Sequence, residues 1–118
     1  MAEIVLKRIY EEPSRKDGLR ILVDRLWPRG ISKKTAKLDY WLKDLAPSHE
    51  LRTSFGHDKD KFEPFKEKYK EELKTGKQKE ALKQLNEIIS HAEGRVTLLY
   101  AAKDKENNNA QVLKQMIQ

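Results

Sequence analysis

The stretch LRILVDRLWPRG, residues 19–30, decides the fold prediction. Its first half, from Leu19 to Val23, is a nearly continuous apolar run, which is typical of a parallel strand buried on both faces of its sheet. The run stops at Asp24, and the charged and aromatic residues beyond it end in a Pro-Arg-Gly turn. The stretch therefore predicts a central strand that opens into a polar loop, and this loop is the first candidate for a functional site.

A second apolar run, RVTLLYAA at residues 95–102, has the same character. The alternating segment EIVLKRI, at residues 3–9, predicts an opening strand. Helical patterns separate the two buried runs, and parallel strands require such covered crossovers. We therefore predict one small α/β domain over residues 1–118, with a mainly parallel sheet of about four strands covered by helices.

Capping residues and a glycine place the short helices. Ser32 is predicted to cap a short helix, and Ser48 is predicted to begin a second one. That second helix is expected to end at Gly56, because glycine readily takes the left-handed conformation of a helix end. The segment LDYWLKDLAP, residues 38–47, fits both strand and helix periodicity. We favour a strand or an extended segment there.

Two longer amphipathic helices follow. The first is capped by Asp58 or Asp60, ends at Gly76, and carries an apolar stripe at spacings of three and four residues. The second runs over residues 77–92. Their predicted core-facing residues are Phe62, Phe65, Tyr69 and Leu73, then Ala81, Leu82, Leu85, Ile88 and Ile89. A last helix is expected over residues 110–118, with its N-cap among residues 107–109.

Composition excludes several classes of function. The chain has 118 residues, no cysteine and a formal net charge of +6 at pH 7. Without cysteine there are no disulfides, no thiolate metal sites and no cysteine nucleophile. The sequence has neither the roughly 20-residue apolar run of a membrane span nor the apolar stretch of a signal peptide. We therefore expect a cytoplasmic protein whose charge favours encounters with anions such as phosphates or nucleic acid.

The carboxyl ends of the two buried strands are the expected ligand site, because ligands of open α/β sheets lie outside those ends. If the two strands are neighbours, the polar residues after each strand face one another across a crevice. Arginine offers a planar fork for phosphate or carboxylate, and lysine offers a point charge. The N–H groups at a helix start add the positive end of a dipole. This combination predicts an anion pocket without catalytic equipment.

A structural interpretation of the same residues stays open. Asp24 and Arg25 could form an internal salt bridge that holds the loop, and Trp27 could simply fill the core. Residues 28–30 could be a plain turn. The polar pair after the second buried strand, Lys103 and Asp104, allows the same interpretation.

His57, next to Asp58, is the one candidate for proton transfer, because histidine titrates near neutral pH and a carboxylate can fix its tautomer. A local capping or hydrogen-bonding role is commoner for such a residue. His49 and His91 have no clustered partners, so no metal site is predicted. The motifs GxSxG, GxxxxGK[ST] and GxGxxG are missing, and no cofactor is predicted. Whether the protein is an enzyme stays open.

The lysine-rich segment at residues 60–92 suggests a second function, as a nucleic-acid-binding or protein-binding module that uses the net positive charge. Glutamates alternate with the lysines, which is typical of a solvated helix with i to i+4 pairs. A nucleic-acid interface needs basic residues on one side and exposed aromatic rings. The aromatic residues of this segment are predicted to face the core, so this function is kept as the alternative.

Several stretches resemble a known family. KRIYE, LVDRLWPRG, LDYWLKDLAPS, FGHD and VTLLYAAKD are similar to the short, YeaO-like branch of the bacterial family called domain of unknown function 488. The similarity covers almost the whole chain. It implies a single α/β domain and no established activity. The positions that match the family's blocks are Asp24, Arg25, Trp27, Pro28, Arg29, Gly30, Pro47, Arg52, Gly56, His57, Asp58, Ala102, Lys103, Asp104, and Asn107 or Asn109.

A more distant resemblance is to rhodanese-type sulfurtransferases, since an Asp-Arg pair ends one strand and a later strand opens onto a helix. The fold is therefore expected to be distantly rhodanese-like or Rossmann-like. Sulfurtransferases of that type require a cysteine thiolate in the loop after the later strand. This chain has Ala101 and Ala102 there, so persulfide transfer is excluded.

Our leading hypothesis is a pocket for an anionic small molecule, such as a phosphorylated one. In this hypothesis the arginines bind the anion and Asp24 orients Arg25 and neighbouring N–H groups. His57 with Asp58 would move protons if a reaction occurs. The predicted ligand-binding residues are Asp24, Arg25, Arg29, Arg52, Lys103, Asp104 and Asn107. Ligand identity, reaction type and oligomeric state are left open by the sequence.

Overall fold

The computed structural model describes residues 2–117. Its strands are β1 (Glu3–Arg8), β2 (Leu19–Leu22), β3 (Tyr40–Trp41) and β4 (Arg95–Tyr100). They form one sheet in the order β1-β4-β2-β3, and every neighbouring pair is parallel. The predicted α/β class, with a parallel sheet of four strands, is confirmed.

Five α-helices cover this sheet within the described residues. They are α1 (Lys33–Ala36), α2 (His49–Phe55), α3 (Phe62–Glu72), α4 (Gly76–His91) and α5 (Asn109–Ile117). Short 3-10 turns lie at Arg15–Asp17, Lys43–Leu45 and Lys59–Lys61. Over residues 2–117, no helix has both the length and the apolar character that a membrane crossing requires.

The predicted helix caps are confirmed at α1 and α2. The Ser32 hydroxyl accepts a hydrogen bond from the Thr35 N–H, and the Ser48 hydroxyl accepts one from the Leu51 N–H. Gly56 ends α2 in the left-handed conformation. Each cap satisfies backbone groups that a helix terminus leaves without intrahelical partners.

Three predicted boundaries differ from the structure. Residues 38–47 contain only the two-residue strand β3, followed by a 3-10 turn. Asp58 caps the 3-10 turn at Lys59–Lys61, and the long helix begins only after that turn. Gly76 does not end α3, which stops at Glu72; it has a φ of 60° and is the first residue of α4. The last two differences have one cause. Tight turns occupy both ends of the segment for which periodicity predicted a longer α3.

The two central strands, β2 and β4, hold the core. Ile21 and Leu22 in β2, and Leu98 and Leu99 in β4, are all 0% exposed, as predicted for strands covered on both faces. Successive residues of β2 and β4 pack into two apolar clusters, one on each face of the sheet. The larger cluster includes residues of α2, α3, α4 and α5. The predicted core-facing residues of α3 are all buried, whereas Leu82, Ile88 and Ile89 of α4 are only partly buried.

A buried ion-pair network lies at the opposite end of β2 from the predicted site. Arg20, inside β2 and 4% exposed, donates to the Asp17 carboxylate and to the Ala36 carbonyl. The Lys7 ammonium binds the same carboxylate at 3.0 Å. Burial alone would raise the pKa of Asp17, but hydrogen bonds from Ser14, Lys7 and Arg20 outweigh it and the pKa falls below the ordinary 3.8. Sequence analysis did not identify this network.

We expect Asp17→Asn to destabilise the fold by about 3 kcal/mol at pH 7, because removing one member of a buried ion pair leaves uncompensated charge. A depressed pKa in the folded state means that the stability from Asp17 is present above pH 3.8 and is lost as the pH falls through the folded-state value. The difference in free energy of unfolding between the parent and the variant should therefore decrease at low pH. Urea unfolding across a pH series measures it, and Asp60→Asn, at an exposed position, should stay within about 0.5 kcal/mol of the parent.

Gly18 lies against the backbone of β4. Its φ is 65°, and a Cβ there would lie 1.9 Å from the Arg95 carbonyl oxygen. We expect Gly18→Ala to cost about 3 kcal/mol or more, from the clash and the unfavourable φ together. Gly30→Ala is the matched control, because Gly30 has a φ of 77° and open space around it. Equal losses in the two variants, measured by thermal or urea unfolding, would show that the contact with Arg95 is unimportant.

Candidate functional site

The ends of β2 and β4 lie side by side, which the predicted site required. Leu22 is in register with Leu99, and the Val23 N–H donates to the Leu99 carbonyl at 3.1 Å. The two polar loops therefore leave the same edge of the sheet next to one another. The assumption that the two buried strands are neighbours is confirmed.

Asp24 joins the two loops at this edge. Its carboxylate accepts hydrogen bonds from the Ala101 N–H at 2.9 Å and from the Asn109 amide at 3.1 Å. Its backbone carbonyl accepts one from the Trp41 indole N–H at 2.7 Å. A single residue therefore connects the loop after β2 to the loop after β4, to the first turn of α5 and to β3.

Burial raises the pKa of Asp24 above its ordinary value of 3.8. The two hydrogen bonds to the carboxylate and the positive charges of Arg52 and His57 act in the opposite direction, but they do not cancel the effect of burial. The structure thus keeps a partly dehydrated carboxylate at the strand ends, with cationic groups close enough to influence its ionisation.

The space in front of Asp24 is a cavity of about 670 Å³, which we call the strand-end cleft. Such a volume lies within the range of organic-ligand pockets. Asn107 and Asp58 are not among the lining residues. The predicted residues that do line it are Asp24, Arg25, Arg29, Arg52, His57, Lys103 and Asp104. Arg29 and Lys103, on different loops, therefore face one cavity.

Arg25 has a structural role in this cleft. Its guanidinium donates to the carbonyls of Ala46 at 3.1 Å and Pro47 at 3.4 Å, and it lies 4.0 Å from the Asp44 carboxylate. The prediction that Asp24 orients Arg25 is wrong, because the Asp24 carboxylate binds Ala101 and Asn109 instead. Arg25 holds the segment before α2 against the loop after β2.

Three other cations of the cleft have no such partner. The side chains of Arg29, Arg52 and Lys103 make no hydrogen bond and no ion pair with any group in residues 2–117 within ordinary bonding distances. Arg29 and Lys103 are exposed, and Arg52 is half-buried on α2. These three cations are therefore available to a ligand, in contrast to Arg25.

Asp104 and Asn107 organise the loop that leads into α5. The Asp104 carboxylate accepts from the N–H groups of Glu106 and Asn107 and from the Asn107 amide, at 2.9 to 3.0 Å. These bonds lower the pKa of Asp104 below its ordinary value, with the Asn107 side chain as the largest cause. Asn108 then caps α5 by accepting from the Gln111 N–H. Asn107 thus serves the loop rather than the cleft.

His57 and Asp58 do not act as a pair in the structure. The Asp58 carboxylate accepts from the Asp60 N–H as the cap of a 3-10 turn. His57 is exposed on the rim of the cleft with a φ of 59°, a conformation that is uncommon for residues other than glycine. The positive charge of His57 acts instead on Asp24, whose pKa it lowers. The structure therefore does not pair Asp58 with His57 for proton transfer.

Arg8, at the end of β1, was not identified by sequence analysis. Its guanidinium donates to the Ala101 carbonyl at 3.0 Å and the Ala102 carbonyl at 2.9 Å. Carbonyl and N–H point in opposite directions across a trans peptide, so the N–H groups of Ala102 and Lys103 point away from Arg8. No sequence signal distinguishes Arg8 from the other charged residues of β1, Glu3 and Lys7.

A second depression, of about 680 Å³, lies between β3 and α4. Its lysines are Lys43, Lys77 and Lys83, and its carboxylates are those of Asp44, Glu80 and Glu87. The opposite charges offset one another there, so the depression has no excess of either sign to recognise an ion. Within residues 2–117, no three histidine, aspartate or glutamate side chains cluster as metal ligands would.

Comparison with known proteins identifies the family. Residues 3–118 match the family model described as the inactive DUF488-N3 subclade. The chain belongs to this family. The uncharacterized protein YeaO of Escherichia coli K12 is 44% identical over 93% of this chain and 92% of its own length. The uncharacterized protein Rv3073c of Mycobacterium tuberculosis H37Rv is 37% identical over 93% of this chain and 89% of its own length. No solved structure matches the chain. The predicted YeaO-like resemblance is confirmed.

The electrostatic contact between α2 and the strand ends can be measured directly. The positive charge of Arg52 lowers the pKa of Asp24, so Arg52→Ala should raise that pKa further. Carbonyl-detected NMR titration of Asp24 should give a value above 3.8 in the parent and a higher one in the variant. Lys79→Ala, which removes the same charge from the distant helix α4, should leave the titration unchanged. A lower pKa in Arg52→Ala would contradict the described geometry.

Proposed function

We propose that the strand-end cleft binds an anionic small molecule and performs no chemistry on it. The observation that carries the proposal is the convergence of Arg29, Arg52 and Lys103, from three separate segments, on one cavity in which none of them has a bonding partner among residues 2–117. Concentrated positive charge of this kind is unfavourable unless an anion or solvent ions compensate it. A ligand anion would supply that compensation.

Within residues 2–117, neither acidic side chain of the cleft forms an ion pair with these cations. Asp104 is engaged with the backbone of its own loop, and Asp24 with Ala101 and Asn109. Burial raises the pKa of Asp24, and the positive charge of Arg52 acts in the opposite direction. Arginine presents its donors in a planar fork that suits phosphate and carboxylate oxygens. The cleft therefore favours an anion with several acceptor oxygens.

The lack of a cysteine in the loop after β4 supports binding without persulfide chemistry. The loop after β4 carries Ala101 and Ala102 where rhodanese-type enzymes require a cysteine, and the chain has no cysteine. His57 is not paired with Asp58, so it lacks the neighbouring carboxylate expected from the sequence. The description of the family as inactive agrees with this interpretation.

Calorimetry and thermal shift with inorganic phosphate and pyrophosphate, at constant ionic strength, test the proposal. At 100 times its dissociation constant a ligand should stabilise the fold by about 2.7 kcal/mol. Arg29→Ala, Arg52→Ala and Lys103→Ala should each weaken pyrophosphate binding about tenfold, or about 1.4 kcal/mol. Lys79→Ala is the charge-matched control and should bind as the parent does. Absence of binding for every anion tested would overturn the proposal.

The alternative function, nucleic-acid binding along the lysine-rich helices, has less support. Lys66 pairs with Glu63 and Lys74 with Glu71, so the positive charge of α3 and the turn after it is offset locally. Phosphate-backbone binding weakens steeply with salt. Oligonucleotide binding that falls steeply with salt, and that is unchanged in Arg52→Ala, would favour the alternative.

A further inference from the structure

Two unusually exposed apolar side chains stand on the rim of the strand-end cleft. Among the described residues, the large hydrophobic side chains with the greatest exposure are Leu26 at 61%, Tyr10 at 43% and Tyr40 at 40%. Leu26 and Tyr10 line the cleft, and Tyr40 does not. Exposed apolar side chains beside a cavity are typical of a surface that contacts a ligand.

Tyr10 is exposed but firmly held. Its hydroxyl donates to the Arg29 carbonyl at 3.0 Å, and the Arg8 guanidinium lies 5.1 Å from the centre of its ring. The bond to the hydroxyl and the cation near the ring restrict the side chain, so the aromatic surface stays at the rim without a ligand. A preorganised aromatic surface costs less entropy when it contacts a ligand.

The inner wall of the cleft is also apolar. Phe55 and Phe65 stack with their ring centres 4.4 Å apart, and both line the cavity together with Pro47 and Trp27. An inorganic anion would contact the cations and leave these surfaces wet. At about 670 Å³ the cavity also has far more room than a phosphate group requires.

We infer that the ligand is an aromatic anion, with a flat ring against Tyr10 and Leu26 and a phosphate group at Arg29, Arg52 and Lys103. This inference rests on the proposed function and names its ligand class. The ring contributes apolar burial and stacking, while the cations recognise the phosphate. A neutral aromatic compound would leave the cations uncompensated, and inorganic phosphate would leave the apolar rim exposed.

Titration calorimetry with inorganic phosphate, phenyl phosphate and benzyl alcohol tests the inference. Phenyl phosphate should bind at least tenfold more tightly than phosphate, and benzyl alcohol should not bind measurably. Leu26→Ser should reduce the affinity for phenyl phosphate about fivefold and leave the affinity for phosphate unchanged. The side chain is too exposed for this substitution to disturb the fold. Tyr40→Ser, at an exposed aromatic residue outside the cleft, is the matched control.

The possible outcomes distinguish the failure of the aromatic-ligand inference from the failure of the proposed anion binding. Equal affinities for phosphate and phenyl phosphate would overturn the aromatic ligand and leave anion binding standing. Binding of neither anion would overturn both. Equal binding of benzyl alcohol and phenyl phosphate would show that the cleft does not select for charge, which also overturns both. If sedimentation shows a dimer of the parent that Leu26→Ser abolishes, the rim is a subunit contact and the inference fails.

Discussion

The parallel pairing of β2 with β4 is the constraint on which the rest of the structure depends. It places two strands that are far apart in the chain in the middle of the sheet, so both strands bury side chains on both faces. It also brings two polar loops to one edge. The carboxylate of Asp24 then joins those loops through Ala101 and Asn109, immediately beyond the paired ends of the two strands.

Much of this arrangement could be predicted from the sequence, because the decisive signals are local. Two apolar runs indicate two buried strands whatever their neighbours are, and Ser32, Ser48 and Gly56 mark helix ends through their own hydrogen bonds and φ angles. The general rule for ligands of α/β sheets then points to the loops after those strands. The convergence of Arg29 and Lys103 followed from one added assumption, that the two strands are neighbours.

The remaining contacts could not be predicted, because they depend on which residues the folded chain places next to one another. Arg20 occupies an apolar strand only because Asp17, Lys7 and the Ala36 carbonyl surround it in the folded chain. Arg8 contacts carbonyls more than ninety residues away. Asp58 next to His57 suggested a pair, yet the carboxylate caps the following turn, and sequence adjacency could not distinguish the two roles. Periodicity likewise does not show where a strand as short as β3 stops.

The structural and functional interpretations of the strand-end loops apply to different residues. Asp24, Arg25 and Asp104 bind backbone groups and give the loops their shape. Arg29, Arg52 and Lys103 contribute no such bonds within the described chain, and bringing like charges together opposes folding. The hydrogen bonds that shape the loops therefore do not account for these three cations, and the proposed ligand is what would compensate their charge.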